Sequence, residues 1–497
     1  MIRLMLFVLA LSSSSSIVNA QNPQVPPGMF KDLDDEILGD ALLVREKQFF
    51  IDDYIIEEMD GVQKRLNQPV KHPDNPLITA DMPWEQTLLN RGSVLYDEQE
   101  EIFKMWYIVY TADLKTQLLC YATSVDGLVW QKPIINVPDE TNIIPNLRAA
   151  NPPNVFKDEH ESDPARRYKM MYGGFETHKM GDYSTNVAFS PDGITWTPEP
   201  TNPVIPHSDT LNACLWDAQS NRYVAYVRYG PPNTRMISRT ESQDFVHWSP
   251  KVTVLRPGRI DEPFHTKHYG MRAMAYENIL FGFIAAYHGE TIDPIPDDKL
   301  WMDRVNVQMA FSRNRVTWRR VGPSGVIHAE QGEGNDRDWR KIAEEATFIP
   351  YGQSKETDWD WGQVYLFQPP LIVEDEIWFY YQGQKGRHWF SYHNDPPDSG
   401  FGLATLRLDG FVSIDAGEDE GTMTTKPFVF LGDTIEINAD ADGGSVSVEA
   451  LDVEGNPIEG FSREDSDAMT SDNIRHTVTW NGDANCYPLQ WRPIRFR

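Results

Sequence analysis

The sequence predicts an all-β protein, a five-bladed β-propeller followed by a C-terminal β-sandwich. Three observations carry this: one short turn motif recurs along the 497 residues, a hairpin-like unit precedes each copy, and long helical periodicities are scarce. The clearest copy of the motif is AFSPDGITW at 188–196. The others are ATSVDGLVW ending at Trp130, SRTESQDFVHW ending at Trp248, AFSRNRVTW ending at Trp318 and a copy without tryptophan, ATLRLDGFVSI, at 404–414. Asp-Gly between runs of β-formers predicts a tight turn, because glycine takes positive φ without steric penalty and the Asp side chain bonds nearby backbone. Each copy therefore reads as strand, turn, strand.

The unit ahead of each copy is an apolar run, a polar turn and a run of aromatic and β-branched residues. It appears as GSVLYDEQEEIFKMWYIVY (92–110), PPNVFKDEHESDPARRYKMMYGGF (152–175), NACLWDAQSNRYVAYVRY (212–229), MRAMAYENILFGFIAAYH (271–288) and PPLIVEDEIWFYYQG (369–383). Two hairpins per unit give four strands, and five such units in series predict five blades. The hairpin acids Asp97, Asp158, Asp217, Glu277 and Asp375 read as turn formers at the rim away from the chemistry.

Taken in order, residues 1–20 read as a cleaved signal peptide, with a cation at Arg3, an apolar run from Leu4 to Leu11 and a small-residue site ending at Ala20. This predicts a secreted or periplasmic protein. The apolar run is shorter than the ~20 residues a bilayer span needs, and no later segment qualifies, so no membrane span is expected. Residues 21–40 read as an acidic leader or linker. The propeller is expected over 41–421, with the strand-like ALLVREKQFFIDDYII (41–56) as the segment that closes the ring. The change of character at GEDEG (417–421) opens short alternating strands over 422–497, the expected sandwich.

Acidic residues number 74 against 45 basic ones, for a net charge of −29. Such a field repels nucleic acids and anionic membranes, and no nucleic-acid partner is expected. The three cysteines, Cys120, Cys214 and Cys486, are expected to be unpaired thiols. His265 and His268 stand three apart without a nearby third ligand, so no metal and no cofactor are expected and substrate contact is the preferred reading.

In a propeller the first strand of each blade lines the axis, and residues at the starts of those strands converge on one face. Carboxylates, histidines, amides and flat aromatics around one funnel suit glycosidic-bond cleavage, which needs a carboxylate acting on water or the anomeric carbon and a proton donor for the leaving oxygen. The catalytic candidates are Asp209, in SDTLNACLWD without a turn motif to explain it, Glu262 with its neighbour Asp261, Glu85 in PWEQ, and Asp360 in DWDWG. The substrate-binding candidates are Trp84, Arg91, Arg148, Asn151, His178, Arg228, His268, His288 and His388. Arg91, Arg148 and Arg228 come from three blades, and gathering arginines in so acidic a chain suits an anionic sugar, held through a carboxylate or sulfate.

The repeated S-x-D-G-x-x-W-like turns with a C-terminal sandwich resemble the five-bladed propeller glycosidases, the invertase and inulinase family (family 32) and the arabinanase and xylosidase family (family 43). Similarity is greatest to exported family-32-like proteins of polysaccharide-degrading bacteria, through FIDDYIIEEMDGVQKRLNQPVKHPDNPL (50–77), SDTLNACLWD (208–217) and GLATLRLDGFVSIDAG (402–417). It extends over nearly all of 41–497. The invertase motifs W-M-N-D-P-N-G, R-D-P and E-C are absent, so the resemblance transfers only the idea of axial carboxylates, with Asp209 at the start of the third blade. The expected activity is that of a glycoside hydrolase on a plant or algal polysaccharide or oligosaccharide. The alternatives are a non-catalytic carbohydrate-binding propeller and a glycoside phosphorylase.

Overall fold

The computed structural model describes residues 2–10, 41–85, 88–111, 117–148, 150–175, 183–230, 234–289, 295–296, 299–327, 338–388 and 399–497. The four copies that end in tryptophan form the same turn, whereas in the fifth Asp409 itself takes positive φ and its carboxylate accepts Lys47 and Tyr276. Asp126, Asp192, Asp244 and Asn314 each accept backbone N–H groups two and three residues on, at 2.7–3.1 Å. Each is paired with a serine two residues earlier, Ser124, Ser190, Ser242 and Ser312. The next residue takes positive φ, which Gly127 and Gly193 do freely and Phe245 and Arg315 do because the side-chain bonds hold the turn. The closing tryptophan of three copies, Trp130, Trp196 and Trp248, donates its indole N–H to the carbonyl of that positive-φ residue.

Five antiparallel groups follow one another along the chain. The first is Leu88–Asp97, Ile102–Tyr110 and Gln117–Ser124; the second is Ala150–Lys157, Tyr168–Phe175, Tyr183–Ser190 and Thr197–Pro198. The third is Ala213–Asp217, Arg222–Tyr229, Met236–Ser242 and Val252–Leu255; the fourth is Lys267–Tyr276, Ile279–His288, Arg304–Ser312 and Arg319–Gly322. In the fifth, Gln363–Leu366 and Leu371–Val373 pair with Glu376–Gln384, which pairs with Ser399–Arg407.

The innermost strands make a closed circuit. Ser93 of the first group donates to the carbonyl of Val155 in the second, and Asn154 of the second accepts the backbone N–H of Cys214 in the third. Arg272 of the fourth group donates to the carbonyl of Asn212 at 3.0 Å. Gln368 exchanges two hydrogen bonds with the Ala273 backbone at 2.6 and 3.1 Å, and its own carbonyl accepts Val94 N–H at 3.2 Å, returning to the first group. Neighbouring groups are also pinned at the outer rim. Asp97 accepts Lys104 of its own sheet and Tyr168 of the next, and Asp158 repeats this with Lys169 and Tyr223. These two hairpin acids, expected to be simple turn formers, are buried links between sheets. Apolar packing fills the space between: Trp106 of the first sheet donates at 2.6 Å to the Gly193 carbonyl that Trp196 also uses.

The segment 41–56 does not close the ring. Val70–Lys71 and Ile78–Thr79 lie instead along Ser399–Arg407, the outer strand of the fifth group. Glycines decide this: a Cβ on Gly400 or Gly402 would meet Pro76 at 2.7 Å or Asn75 at 2.9 Å, so the SGFGLATLR strand admits the 70–79 segment against its bare backbone. Asn75 then brackets Leu403, accepting its N–H at 2.9 Å and donating to its carbonyl at 2.8 Å.

Leu42–Val44 runs parallel to Phe428–Phe430, Ile56–Asp60 pairs with Thr422–Thr425, and Val62–Leu66 pairs with Val412–Ala416. The N-terminal residues after position 40 thus belong to the C-terminal layer, whose own core includes Val44, Phe50, Ile435, Val478, Trp480 and Phe496. The strand Ile2–Ala10, within the expected signal peptide, pairs with Val412–Ala416 on one side and Thr434–Asp440 on the other. Cys120, Cys214 and Cys486 are buried free thiols. Among the described residues, no helix is long and apolar enough to cross a membrane.

Candidate functional site

Irregularities at the starts of the innermost strands turn side chains toward the centre of the circuit. The register of the first group breaks between Asn90 and Gly92, leaving Arg91 as the extra residue at φ 24°, and that of the fourth breaks between His268 and Gly270, leaving Tyr269. Bulges of this kind re-aim side chains at functional centres. Gly92 is required beside the first break, since a Cβ there would stand 2.4 Å from the Trp106 carbonyl.

Tyr269 is the hub. The guanidinium carbons of Arg228, Arg235 and Arg91 lie 4.4, 4.8 and 5.6 Å from the centre of its ring. Arg91 also lies 4.4 Å over Tyr365, and Arg235 4.8 Å over Tyr287. His388 completes the cluster, its ring 4.8 Å from Tyr269 and its Nδ1 within 3.1 Å of the Tyr365 hydroxyl and 3.2 Å of Gln363 Oε1. Arg228 forms an ion pair with Asp209, donates from Nη1 to the Tyr269 carbonyl at 3.2 Å and has its backbone N–H on Asn212 Oδ1. The Asp209 side chain is 30% exposed against 9% for Arg228, so the carboxylate stands at the outer side of the pair.

The electrostatics follow. Burial pushes the Tyr269 phenol up, but Arg228, Arg91 and Arg235 outweigh it and leave the group at about 8. Burial lowers Arg228 to about 10, with Arg235 and Arg91 adding repulsion against the attraction of Tyr269. His388 is held well below the usual histidine range, first by burial and then by Arg235, Arg91 and Arg228, so it is neutral.

The other expected residues lie elsewhere. Glu85 is 3% exposed and committed to a cage: Tyr107 donates to Oε1 at 2.6 Å, and Lys132 and the backbone N–H groups of Asp81 and Met82 surround Oε2. Trp84 is half-buried beside it, with its indole N–H on Asn142 at 2.9 Å. Asp360 is buried and accepts Lys71 at 2.5 Å and the Tyr381 hydroxyl at 3.1 Å, tying down the closing strand. Glu262 is exposed on the short 3-10 turn Arg259–Phe264, whereas its neighbour Asp261 is buried against Arg320 at 3.0 Å and His268 at 3.5 Å. His288 bonds Thr266 at 2.8 Å, and burial lowers it to about 4.

Asn151, at φ 70°, donates its backbone N–H to Gln117 Oε1 at 2.8 Å. Arg148 is exposed and makes none of the contacts to Tyr269. His178 lies outside the described residues. The sequence reading thus brought Arg91, Arg228, Asp209 and His388 to one centre, and missed Arg235. The signal was present, since Arg235 leads into the third strand of its group at the same rim. Among the described residues no cluster of three metal-ligating side chains occurs.

No protein-family model and no curated protein matches the chain. Solved structures with a similar shape include an N-acetylgalactosamine deacetylase from F. plautii in complex with blood group B trisaccharide, at 12% identity and TM-score 0.43, covering 70% of this chain and 96% of that one. A glycosyl hydrolase from Bacteroides ovatus gives 13% identity and TM-score 0.44, covering 70% and 97%. A structure from a mannoside phosphorylase family that contains glycoside hydrolases targeting β-1,2 mannosidic linkages in Candida mannan gives 12% and 0.44, covering 74% and 96%. At such values the functional reading has to rest on the site itself.

Proposed function

We propose that this protein is an exported glycoside hydrolase, built as a five-bladed propeller with a C-terminal β-sandwich, whose active centre is the cluster around Tyr269. The observation that carries the reading is the convergence of Asp209, Arg228, Arg91, Arg235 and His388 on Tyr269, the six together drawn from four of the five strand groups, at the middle of the closed circuit of innermost strands. Convergent polar groups beside aromatic rings are what sugar recognition and bond cleavage require.

In this reading Asp209, held by its ion pair with Arg228, acts on water or on the anomeric carbon. The Tyr269 phenol, which still holds its proton at neutral pH, serves the leaving oxygen. Glu85 and Asp360, both held by internal partners, are structural. A phosphorolytic variant is the second reading, favoured by the same observation, because arginines beside a neutral histidine suit phosphate as the attacking group in place of activated water.

The test is incubation with a panel of plant and algal oligosaccharides, with and without inorganic phosphate, and resolution of the products. Free reducing sugar without phosphate supports hydrolysis, and sugar phosphate supports phosphorolysis. Asp209→Asn should lower kcat/KM by about a hundredfold or more. Binding without product in either condition would leave only a carbohydrate-binding role.

A further inference from the structure

The fourth copy of the turn motif, SRNRVTW at 312–318, reads Arg-Asn-Arg where the clearest copy reads Pro-Asp-Gly. Arg315 is used within the fold, its Nε 3.3 Å from Asp217 and its Nη1 donating to the Asn278 carbonyl at 2.8 Å. Asn314 keeps the turn and, unlike an Asp, carries an amide that donates, to Thr317 Oγ1 at 3.2 Å. Arg313 reaches out of its sheet to the segment 52–54. Its Nε and Nη2 grip Asp52 at 2.9 and 2.7 Å, and its guanidinium carbon lies 4.3 Å from the centre of the Tyr54 ring.

These contacts border a cleft of about 360 Å³, walled by Tyr54, Phe311 and Arg313, with Asn314, Thr317 and Arg319 contributed by the turn. Small-molecule sites fall in the range of ~300–1,000 Å³. Tyr54 is 37% exposed, yet it is held in place. Besides the stacked guanidinium, its backbone N–H donates to Asp52 Oδ1 at 3.2 Å, and Lys426 Nζ donates to the carbonyls of Asp53 and Tyr54 at 2.6 and 3.2 Å. The acids in the wall are matched, Asp52 by Arg313 and Asp53 by Lys64 at 2.5 Å, so the cleft offers a flat ring and hydrogen-bonding groups that suit hydroxyls better than an ion. It stands far from the centre at Tyr269. The nine-residue strand Arg304–Ser312 carries the turn at one end, and near the other Val305 pairs with Tyr287 of the central cluster. A strand of that length separates its ends by about 25–30 Å.

We propose that this cleft is a second glycan-binding site, which holds a neutral stretch of a polysaccharide against Tyr54, with the sugar hydroxyls on Thr317, Asn314 and Arg319. The choice of a glycan as ligand rests on the reading of the protein as glycan-active, but no residue of the cleft belongs to the centre at Tyr269. A ring fixed before the ligand arrives binds without the cost of ordering it. Two sites on one polymer also act through effective concentration, because a chain caught at one is presented to the other. The cleft therefore tightens the hold on long chains and leaves short ones, which cannot reach both sites, unaffected.

The test is affinity electrophoresis of the full chain through gels containing arabinan, xylan, galactomannan or laminarin, with pectin and carrageenan as charged counterparts. At least one neutral polysaccharide should retard the wild type, and Tyr54→Ala should weaken that binding about tenfold. Tyr54→Phe, which keeps the ring, should retain most of it. The double variant Thr317→Val with Arg319→Ala alters two exposed side chains, so it tests the cleft even if Tyr54→Ala fails to fold; it too should weaken retention. Product formation from short oligosaccharides should be the same in wild type and variants. Retention unmoved by both changes, retention by the charged polysaccharides alone, or none by any neutral one would overturn the proposal, whatever the product assay shows. Self-association in sedimentation velocity that Tyr54→Ala abolishes would overturn it in favour of a contact between copies. Retention that depends on Tyr54 with no product from any sugar would uphold the cleft and sink the hydrolase reading.

Discussion

The acidity of Tyr269 is the property on which the electrostatic reading stands, and it can be measured directly. Three guanidinium carbons lie 4.4–5.6 Å from its ring centre. At an effective dielectric of about 20, a charge at ~5 Å is worth ~3 kcal/mol, or roughly two pKa units. Three such charges would lower the phenol by about six units, and burial of this depth raises it by ~3 to 5, so a net fall is expected, in keeping with the shift from 10.0 to about 8. Removing one arginine should therefore raise the midpoint by roughly two units.

The assay is tyrosinate absorbance against pH, with the Tyr269→Phe curve subtracted. The background is favourable, because burial pushes Tyr107, Tyr121, Tyr223, Tyr226 and Tyr381 upward. Wild type should show one tyrosine titrating near 8, Arg228→Ala should return it to the ordinary range or above, and Asp209→Asn should lower it by removing a nearby negative charge. The folded midpoint lies below the unfolded one, so this group's contribution to stability is lost as pH falls through about 8, develops between about 8 and 10 and is complete above 10. A wild-type midpoint at or above 10, or one unmoved by Arg228→Ala, would refute the positive centre.

Asp97→Ala should destabilise the fold by about 3–5 kcal/mol in denaturant titration, since it strands the buried Lys104 and cuts the bond to Tyr168; a loss below about 1 kcal/mol would return Asp97 to a turn former. His288 titrates at about 4 in the fold against 6.5 outside it, so protonation favours unfolding as pH falls through that window. The wild type should lose about 2 kcal/mol from this group between neutral pH and pH 5, and His288→Asn should lack that part of the slope. Asp192→Ala should cost about 1–2 kcal/mol, read as a shift in denaturation midpoint, because the N–H groups of Ile194 and Thr195 lose their acceptor.

The recurring turn was legible because its causes are local. A serine, an Asp or Asn, a residue able to take positive φ and a closing tryptophan specify their own hydrogen bonds within seven residues, and the hairpin ahead of each copy follows from period-two alternation. Arg91, Arg228 and Asp209 could be placed at one end of their strands for the same reason, since strand direction alternates predictably. What local rules could not decide was which neighbours each side chain would meet.

Glu85 and Asp209 look alike in sequence, each an acid at the start of a first strand. Tertiary contacts from Tyr107 and Lys132 saturate one, while the other stands half-exposed against Arg228. Arg148 reads like Arg91, yet only Arg91 falls at a register break that swings it over Tyr365. Ring closure by 70–79 in place of 41–56 depended on two glycines some 330 residues away, and the acidity of Tyr269 on arginines from two separate sheets. The sequence by itself determined the repeat, the turns and the rim; long-range packing chose the closing strand, and the field at the centre, because both are sums over residues that meet only once the chain is folded.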